Sequence, residues 1–167
     1  VYAGEISKDA ISFAKKKIKQ KSIKRNINFF HISDKTKKLP FKNNFFGSIV
    51  CLGVIQYLGS KKKTNNLLKE FYRCLKPDGK FIISTFGPEN TFIKNSKKIS
   101  KNIYEFNGKE KFHNDIDLSY RYYIPYNANN FKSFFPSKLK VEEIGSWNNV
   151  YSGINGFHFV ALGKKVV

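Results

Sequence analysis

The sequence is poor in the residues that bind metals and form disulfides. It has two cysteines, Cys51 and Cys74, and three histidines, and these five residues do not have the spacing of a zinc-ligand set. Both cysteines lie in apolar segments, so we expect two buried, reduced thiols and a cytoplasmic protein. No apolar run approaches the roughly 20 residues that a membrane-spanning helix needs, so we expect no membrane span.

Arginine is scarce although the chain is strongly basic. The 167 residues carry a net charge of +19, but only three of the 31 basic residues are arginine. Recognition of bases and bidentate binding of phosphates favour arginine over lysine. The composition therefore favours a solvated lysine surface, and a surface selected to bind nucleic acid or another polyanion stays open as the alternative.

Strand and helix patterns alternate along the chain. Apolar runs predict strands, and apolar residues three and four apart predict helices, the first of them with Ser7 as its N-cap. Predicted strands cover residues 1–5, 27–32, 48–52, 80–86, 139–146 and 157–162, and predicted helices cover residues 8–19, 65–75 and 127–135. Residues 76–79 are predicted to turn, and residues 88–126 interrupt the alternation. This order predicts a single α/β domain, residues 1–167, with a parallel sheet and an insertion at 88–126.

Three segments carry a resemblance to a known family. They are GEIS at residues 4–7, LPFKNNFFGSIVCLGVIQYL at 39–58 and FYRCLKPDGKFIIST at 71–85. In this order and at these intervals they resemble class I S-adenosylmethionine-dependent methyltransferases of the small-molecule type. The resemblance implies an α/β, Rossmann-like methyltransferase sheet that is mostly parallel, with an antiparallel C-terminal strand at 157–162. It also implies an enzyme whose cofactor is S-adenosylmethionine.

The resemblance further implies which residues contact the cofactor. The candidates are Glu5, Ile6, Asp34, Cys51, Leu52 and Gly53. Glu5 would hold the ribose hydroxyls, since a carboxylate can accept two hydrogen bonds from a vicinal diol. Asp34 would accept from the adenine amino group, and the backbone around Gly53 would meet the methionine ammonium group. Two alternatives stay open: Glu5 as an acid that stabilises the start of the next helix, and Asp34 as a loop acid among lysines.

The sequence departs from the family's pattern at two places. Gly47 stands where the family has an acid, and the family's first strand with its glycine-rich motif has no counterpart. Methionine is also absent. We therefore expect an N-terminally truncated domain that lacks this strand and whose cofactor binding is impaired. Strands 1–5 and 48–52 would then leave a gap or pair with each other.

Candidate acceptor-binding residues lie mostly in the insertion, where this family commonly places a substrate lid. They are Tyr57, which follows strand 48–52, and, within the insertion, His113, Asp115, Asp117, Tyr120, Arg121, Tyr122, Tyr123 and Tyr126. Histidine and aspartate can deprotonate an acceptor, and tyrosine and arginine can hold a ring or an anion. The alternative is an aromatic segment that only packs on the sheet. We assign no catalytic residue, since positioning alone can suffice for a nucleophilic acceptor.

The expected partner is a small-molecule acceptor. Enzymes that methylate the amino groups of bases share an Asn/Asp-Pro-Pro-aromatic tetrad, and this chain has Leu-Gly-Val-Ile at residues 52–55 instead. A nucleic-acid acceptor is therefore the less favoured partner. The alternative function is a non-catalytic, lysine-rich module that binds nucleic acid or another polyanion on a degraded Rossmann-like fold.

Overall fold

The structure is a computed structural model that describes residues 1–21, 26–33, 36–109, 117–151 and 153–167. The chain forms two compact units, Val1–Pro40 and Phe41–Val167. Hydrogen-bonded sheets occur within each unit. None of the helices in the described ranges combines the length and the apolar surface needed to cross a bilayer.

The first unit is a strand–helix–strand element. β1 (Tyr2–Glu5) leads into α1 (Lys8–Gln20), and β2 (Asn28–His31) pairs in parallel with β1. The helix begins as predicted, because the hydroxyl oxygen of Ser7 accepts a hydrogen bond from the backbone N–H of Ala10 at 3.1 Å. The sequence thus predicted these three elements to within one residue at each end.

The elements of the second unit are β3 (Phe46–Cys51), a 3₁₀ helix (Ile55–Leu58), α2 (Lys61–Cys74), β4 (Leu75–Phe86), α3 (Thr91–Lys94), β5 (Lys97–Lys98), β6 (Ile103–Lys109), β7 (Asp117–Tyr123), α4 (Ala128–Lys132), β8 (Leu139–Trp147), β9 (Val150–Tyr151), β10 (Ile154–Asn155) and β11 (His158–Lys165). Their main sheet has the strand order β3-β4-β11-β8. β3 and β4 are parallel, and β11 lies antiparallel between β4 and β8. The predicted antiparallel C-terminal strand is therefore confirmed. β1 and β3 belong to different sheets, so the two strands predicted to flank a missing strand do not pair.

β4 begins earlier than predicted and absorbs the turn expected at 76–79. Leu75 pairs with Phe46, and the next pair is Lys80 with Ser48, so the residues between them form a bulge. Asp78 has a φ of 58°, a left-handed conformation that aspartate tolerates better than most residues. The prediction that the backbone turns at 76–79 agrees with the positive φ of Asp78. The prediction that β4 starts only after this turn was wrong, because Leu75 already pairs with Phe46 in β3.

Arg73 connects two of the segments that carry the resemblance. Its guanidinium donates to both carboxylate oxygens of Glu70, at 2.8 and 2.7 Å, and to the backbone oxygen of Phe41 at 2.6 Å. The two backbone N–H groups of Asn44 and Phe45 also donate to carbonyl oxygens at the end of α2. The residues just after LPF are thereby fixed against the end of α2, which gives a physical reason for the two motifs to occur together.

Residues 88–126 contain a small antiparallel sheet, which the sequence did not predict. β6 pairs with both β5 and β7. A buried cluster ties this sheet to the end of β4; its members are Phe86, Ile93, Phe106, Tyr122 and Ile124. The insertion therefore has an apolar core of its own, anchored at the carboxyl end of a main-sheet strand.

Candidate active site

The chain turns sharply at the carboxyl end of β3. Gly53 has a φ of 65°, which glycine adopts without strain, and its N–H donates to the hydroxyl oxygen of Ser84 at 2.9 Å. Ser84 is fully buried in β4, the neighbouring strand. This hydrogen bond fixes the turn to the sheet, so the backbone of Leu52 and Gly53 is presented at the carboxyl ends of two parallel strands. Ligands of open α/β sheets bind at such ends.

Gly53 forms one side of a small cradle. A Cβ atom built on this glycine would lie 3.7 Å from Nε2 of Gln56 and 3.8 Å from Nε2 of His158, and no other non-neighbouring atom would be closer. The side chain of Gln56 is fully buried, and neither of its amide atoms has a hydrogen-bond partner among the described residues. Buried amides are nearly always hydrogen-bonded, so this one is a candidate for contact with a bound molecule. The cradle offers two polar nitrogen atoms and a glycine that permits close approach.

Cys51 ends β3 and contributes backbone rather than a reactive thiol. The side chain of Cys51 is buried, and its thiol is not in a disulfide. Burial raises the pKa of the Cys51 thiol to about 12. The thiol therefore stays protonated at neutral pH, and a protonated thiol is a poor nucleophile.

An aromatic wall, consisting of Tyr57, Phe86, Tyr120 and Tyr122, stands beside the cradle. The ring centroid of Tyr57 is 5.8, 5.6 and 5.5 Å from those of Phe86, Tyr120 and Tyr122. Tyr57 is 47% exposed, and Tyr120 is half-buried, so the wall offers ring surface to a ligand. The structure thus brings together Tyr57, from the 3₁₀ helix after β3, with two tyrosines of the insertion.

Other predicted acceptor residues lie elsewhere. Arg121 pairs with Glu105 on the neighbouring strand at 3.5 Å and is largely exposed. Tyr123 is 7% exposed and stacks on Phe134, with 4.7 Å between ring centroids, a placement that favours packing. Tyr126 lies under the ammonium group of Lys101 at 4.3 Å. The backbone of Asp117 begins β7, and His113 and Asp115 lie outside the described residues.

The predicted ribose ligand, Glu5, lies in the first unit at the end of β1. Its Oε1 atom accepts hydrogen bonds from the backbone N–H groups of Ile6 and Ser7, at 2.7 and 2.9 Å. This fits the alternative in which Glu5 stabilises the chain just before α1. The contacts also orient the carboxylate and involve only one of its two oxygens. Ile6 is exposed, and Asp34 lies outside the described residues.

Sequence reasoning missed His158, the first residue of β11. Its Nε2 atom faces the cradle, and its ring packs edge-on against Phe86 at 5.0 Å between centroids. The sequence predicts binding residues just after strands, because parallel strands place their functional groups at their carboxyl ends. An antiparallel strand reverses that rule, because its beginning lies beside the ends of its neighbours.

A shallow surface depression of about 430 Å³ lies along α2, and its lining includes no residue of the cradle or of the aromatic wall. Its lining residues all come from one helix and are Lys61, Lys62, Asn65, Asn66 and Lys69. These side chains belong to one face of a single helix, and no second element is among the lining residues to enclose a ligand, so we do not place the active site there.

Comparison with known proteins identifies the family. The family described as "Methyltransferase domain" matches residues 1–83. The Ubiquinone/menaquinone biosynthesis C-methyltransferase UbiE of Wigglesworthia glossinidia brevipalpis is 32% identical over 157 residues, which cover 91% of this chain. The chain spans 58% of the length of that relative.

Solved methyltransferases share the fold. A SAM-dependent methyltransferase from Methanosarcina mazei superposes with a TM-score of 0.77 at 14% sequence identity. The match covers 100% of this chain and 82% of the Methanosarcina mazei chain. The N-methyltransferase NodS from Bradyrhizobium japonicum WM9, solved in complex with S-adenosyl-L-homocysteine, matches 98% of this chain and 65% of its own, with a TM-score of 0.61 at 12% identity. The predicted α/β, Rossmann-like methyltransferase fold is confirmed. By sequence and by fold, the chain belongs to the class I S-adenosylmethionine-dependent methyltransferases.

Proposed function

We propose that the protein transfers the methyl group of S-adenosylmethionine to a small-molecule acceptor, at a carbon atom of an aromatic ring. The observation that carries this proposal is the cradle at Gly53, which lies at the carboxyl ends of β3 and β4 beside the aromatic wall. Carbon as the methylated atom is supported by the relative from Wigglesworthia glossinidia brevipalpis, whose name is that of a C-methyltransferase.

The residues present fit the cofactor in two respects. A Cβ atom at Gly53 would contact the nitrogen atoms of Gln56 and His158, so its absence leaves the backbone there open to close approach by a ligand. Glu5 holds one carboxylate oxygen on backbone N–H groups, and its other oxygen has the capacity to accept from a ribose hydroxyl. When bound, S-adenosylmethionine supplies a methyl group on a positively charged sulfur, which is already a strong electrophile. We keep Glu5, Ile6 and the Cys51–Gly53 backbone as cofactor candidates.

The protein's own contribution to the reaction is then mainly positioning. The aromatic wall can hold an aromatic ring of the acceptor. Aromatic pairs, whether offset-stacked or edge-to-face, are worth roughly 0.5–1.5 kcal/mol each beyond the burial of their surface. The buried amide of Gln56 gains a hydrogen-bond partner when a polar atom of a ligand occupies the cradle. Holding the reacting atoms in line lowers the barrier without any acid or base.

We also propose that the insertion at 88–126 covers the acceptor. Two contacts support this role. The ring of Tyr57 packs edge-to-face against the insertion's Tyr120, and a Cβ atom on Gly59 would lie 2.9 Å from the backbone oxygen of Arg121. The turn after the 3₁₀ helix is therefore packed tightly against β7, next to the exposed face of Tyr57.

The remaining parts of the proposal are the partner and the location. A small molecule is the acceptor that fits a surface built around the exposed ring of Tyr57 and the half-buried ring of Tyr120. The comparisons give no support to the alternative of a lysine-rich binding module. A cytoplasmic location is supported by the reduced thiol of Cys51, since oxidising compartments favour disulfides.

Two measurements test the proposal. Calorimetric titration of S-adenosylhomocysteine into the protein should give saturable binding with one site. Incubation with methyl-labelled S-adenosylmethionine and a fractionated extract should then place the label in the low-mass, ring-containing fraction. Absence of cofactor binding, or label recovered only in RNA or protein, would refute the proposed function.

A further inference from the structure

His158 reaches the candidate active site from an antiparallel strand. As the first residue of β11, it pairs with Phe86 at the end of β4 and with Trp147 at the end of β8. Its Nε2 atom lies 3.8 Å from the position of a Cβ atom on Gly53. The imidazole is therefore placed between the cradle and the aromatic wall, which it touches through Phe86.

The other ring nitrogen, Nδ1, has two neighbours that require opposite protonation states. The indole Nε1–H of Trp147 lies 3.0 Å away and can only donate, so it needs a lone pair on Nδ1. The backbone oxygen of Gly156 lies 2.5 Å away and can only accept, so it needs a proton on Nδ1. A neutral imidazole satisfies one of the two.

The shorter contact decides the tautomer. Two lone pairs facing each other at 2.5 Å repel strongly, whereas a proton on Nδ1 converts the same contact with Gly156 into a short hydrogen bond. With the proton on Nδ1, Nε2 carries the lone pair, and Nε2 is the nitrogen that faces the cradle. The carbonyl of Gly156 thus holds the ring in the form that can accept a proton.

The surroundings keep the imidazole neutral. Burial lowers the pKa of His158, and the hydrogen bond to Gly156 raises it by less. The described neighbours that face the ring are Phe86 from β4, Trp147 from β8 and the Gly156 backbone, and none of these groups titrates near neutral pH. A neutral ring with a directed lone pair meets the requirements of a general base.

We propose that Nε2 of His158 accepts the proton of a phenolic or enolic hydroxyl on a ring-shaped acceptor held against the aromatic wall. This inference rests on the proposed methyl transfer and names its substrate class. The O–H bond breaks, its proton goes to Nε2, and its electron pair enters the ring, where a carbon atom becomes nucleophilic. That carbon forms the bond to the methyl group, whose bond to sulfur breaks with both electrons staying on sulfur. The ring carbon then loses its own proton to water, and the imidazolium returns its proton to solvent.

Nitrogen-15 NMR of histidine-labelled protein tests this inference without relying on turnover. His158→Asn assigns the resonances, since asparagine keeps an N–H toward Gly156 but has no Nε2. Near neutral pH the wild-type ring should carry its proton on Nδ1. Resorcinol, a stable phenol with nucleophilic ring carbons, should shift the Nε2 resonance saturably. A proton on Nε2, or an Nε2 resonance that resorcinol leaves unmoved, would overturn the proposal.

Kinetics provide the second readout. With resorcinol as acceptor, His158→Asn should lower kcat about 100-fold or more, the usual scale for loss of a general base. The affinity for S-adenosylhomocysteine should fall far less than kcat, since the substitution removes the proton acceptor and leaves the backbone of Gly53 and the amide of Gln56 in place. An unchanged kcat would overturn the role of His158. If the wild-type protein binds no S-adenosylhomocysteine, the proposed function fails instead, so the two failures are distinguishable. If the His158 variant does not fold, His31→Asn and His113→Asn assign the other two histidine resonances, and the wild-type tautomer still decides the matter.

Discussion

Substituting Gly53 by alanine separates the ligand-binding role of this glycine from its backbone role. At a φ of 65°, an L side chain costs about 1–2 kcal/mol. Alanine regains about 0.4–1 kcal/mol by restricting the unfolded chain. The nearest atom to the new Cβ lies 3.7 Å away, so no steric cost is added. We expect a net loss of about 1 kcal/mol, which corresponds to a decrease in Tm of roughly 2–4 °C for a protein of this size.

Gly153→Ala is the matched control. Gly153 has a φ of 79°, and no atom of a non-neighbouring residue in the described ranges lies within 4 Å of its Cβ position. The variant therefore has a similar backbone cost and lies outside the cradle. The affinity for S-adenosylhomocysteine, measured by calorimetry, should fall tenfold or more in Gly53→Ala, which is about 1.4 kcal/mol. It should stay unchanged in Gly153→Ala. Equal cofactor affinity in the two variants, with the expected small decrease in Tm, would remove the cradle from the cofactor site.

Four further outcomes follow from the same structure. Arg73→Ala should destabilise the protein by about 2–4 kcal/mol in urea unfolding, because it removes hydrogen bonds to Glu70 and to the Phe41 backbone from a largely buried position; a loss under 1 kcal/mol, the range of an exposed ion pair, would contradict this. Tyr123→Ala should cost about 3–5 kcal/mol and leave the cofactor affinity intact, because Tyr123 is buried against its neighbours; a weakened cofactor with an unchanged Tm would contradict the packing role. The thiol of Cys51 should resist alkylation near pH 8 until the protein unfolds, because its raised pKa keeps it protonated there, and rapid labelling of the folded protein would refute this. Binding to random duplex DNA should be weak and should vanish near physiological salt, as measured by fluorescence anisotropy, whereas a tight, salt-resistant complex with one RNA would restore the polyanion alternative.

Much of the fold could be predicted because its determinants are local. Ser7 caps α1 with its own side chain, and the apolar run at 48–52 is long enough for one strand and too short for a helix. The run also suggested that this strand is buried, whereas in β3 only Cys51 is buried and Val50 is exposed. The antiparallel direction of β11 could not be predicted in this way, since no local property of residues 157–162 shows strand direction. It followed from the family resemblance alone.

The candidate site was harder to predict because its members come together only in three dimensions. Gln56 looks like any polar residue of a short helix until its burial is known. His158 lies about a hundred residues from Gly53 in the chain and reaches it through the pairing of β11 with β4. The strands of the insertion do alternate, as Leu118, Tyr120 and Tyr122 do with Ser119 and Arg121. The prediction missed them because it treated the whole polar, tyrosine-rich segment as an interruption of the strand–helix pattern.

The position of β11 has a consequence for how the protein is made. β11 lies between β4 and β8 in the sheet but follows both of them in the chain. On a translating ribosome, β4 and β8 therefore emerge before the strand that joins them, and each carries a free edge of unpaired backbone groups. A product whose synthesis stalls before His158 keeps those two edges open and lacks the imidazole as well. Such a nascent chain is prone to aggregate and to engage chaperones, and both the sheet and the site are completed only when the same short segment is released.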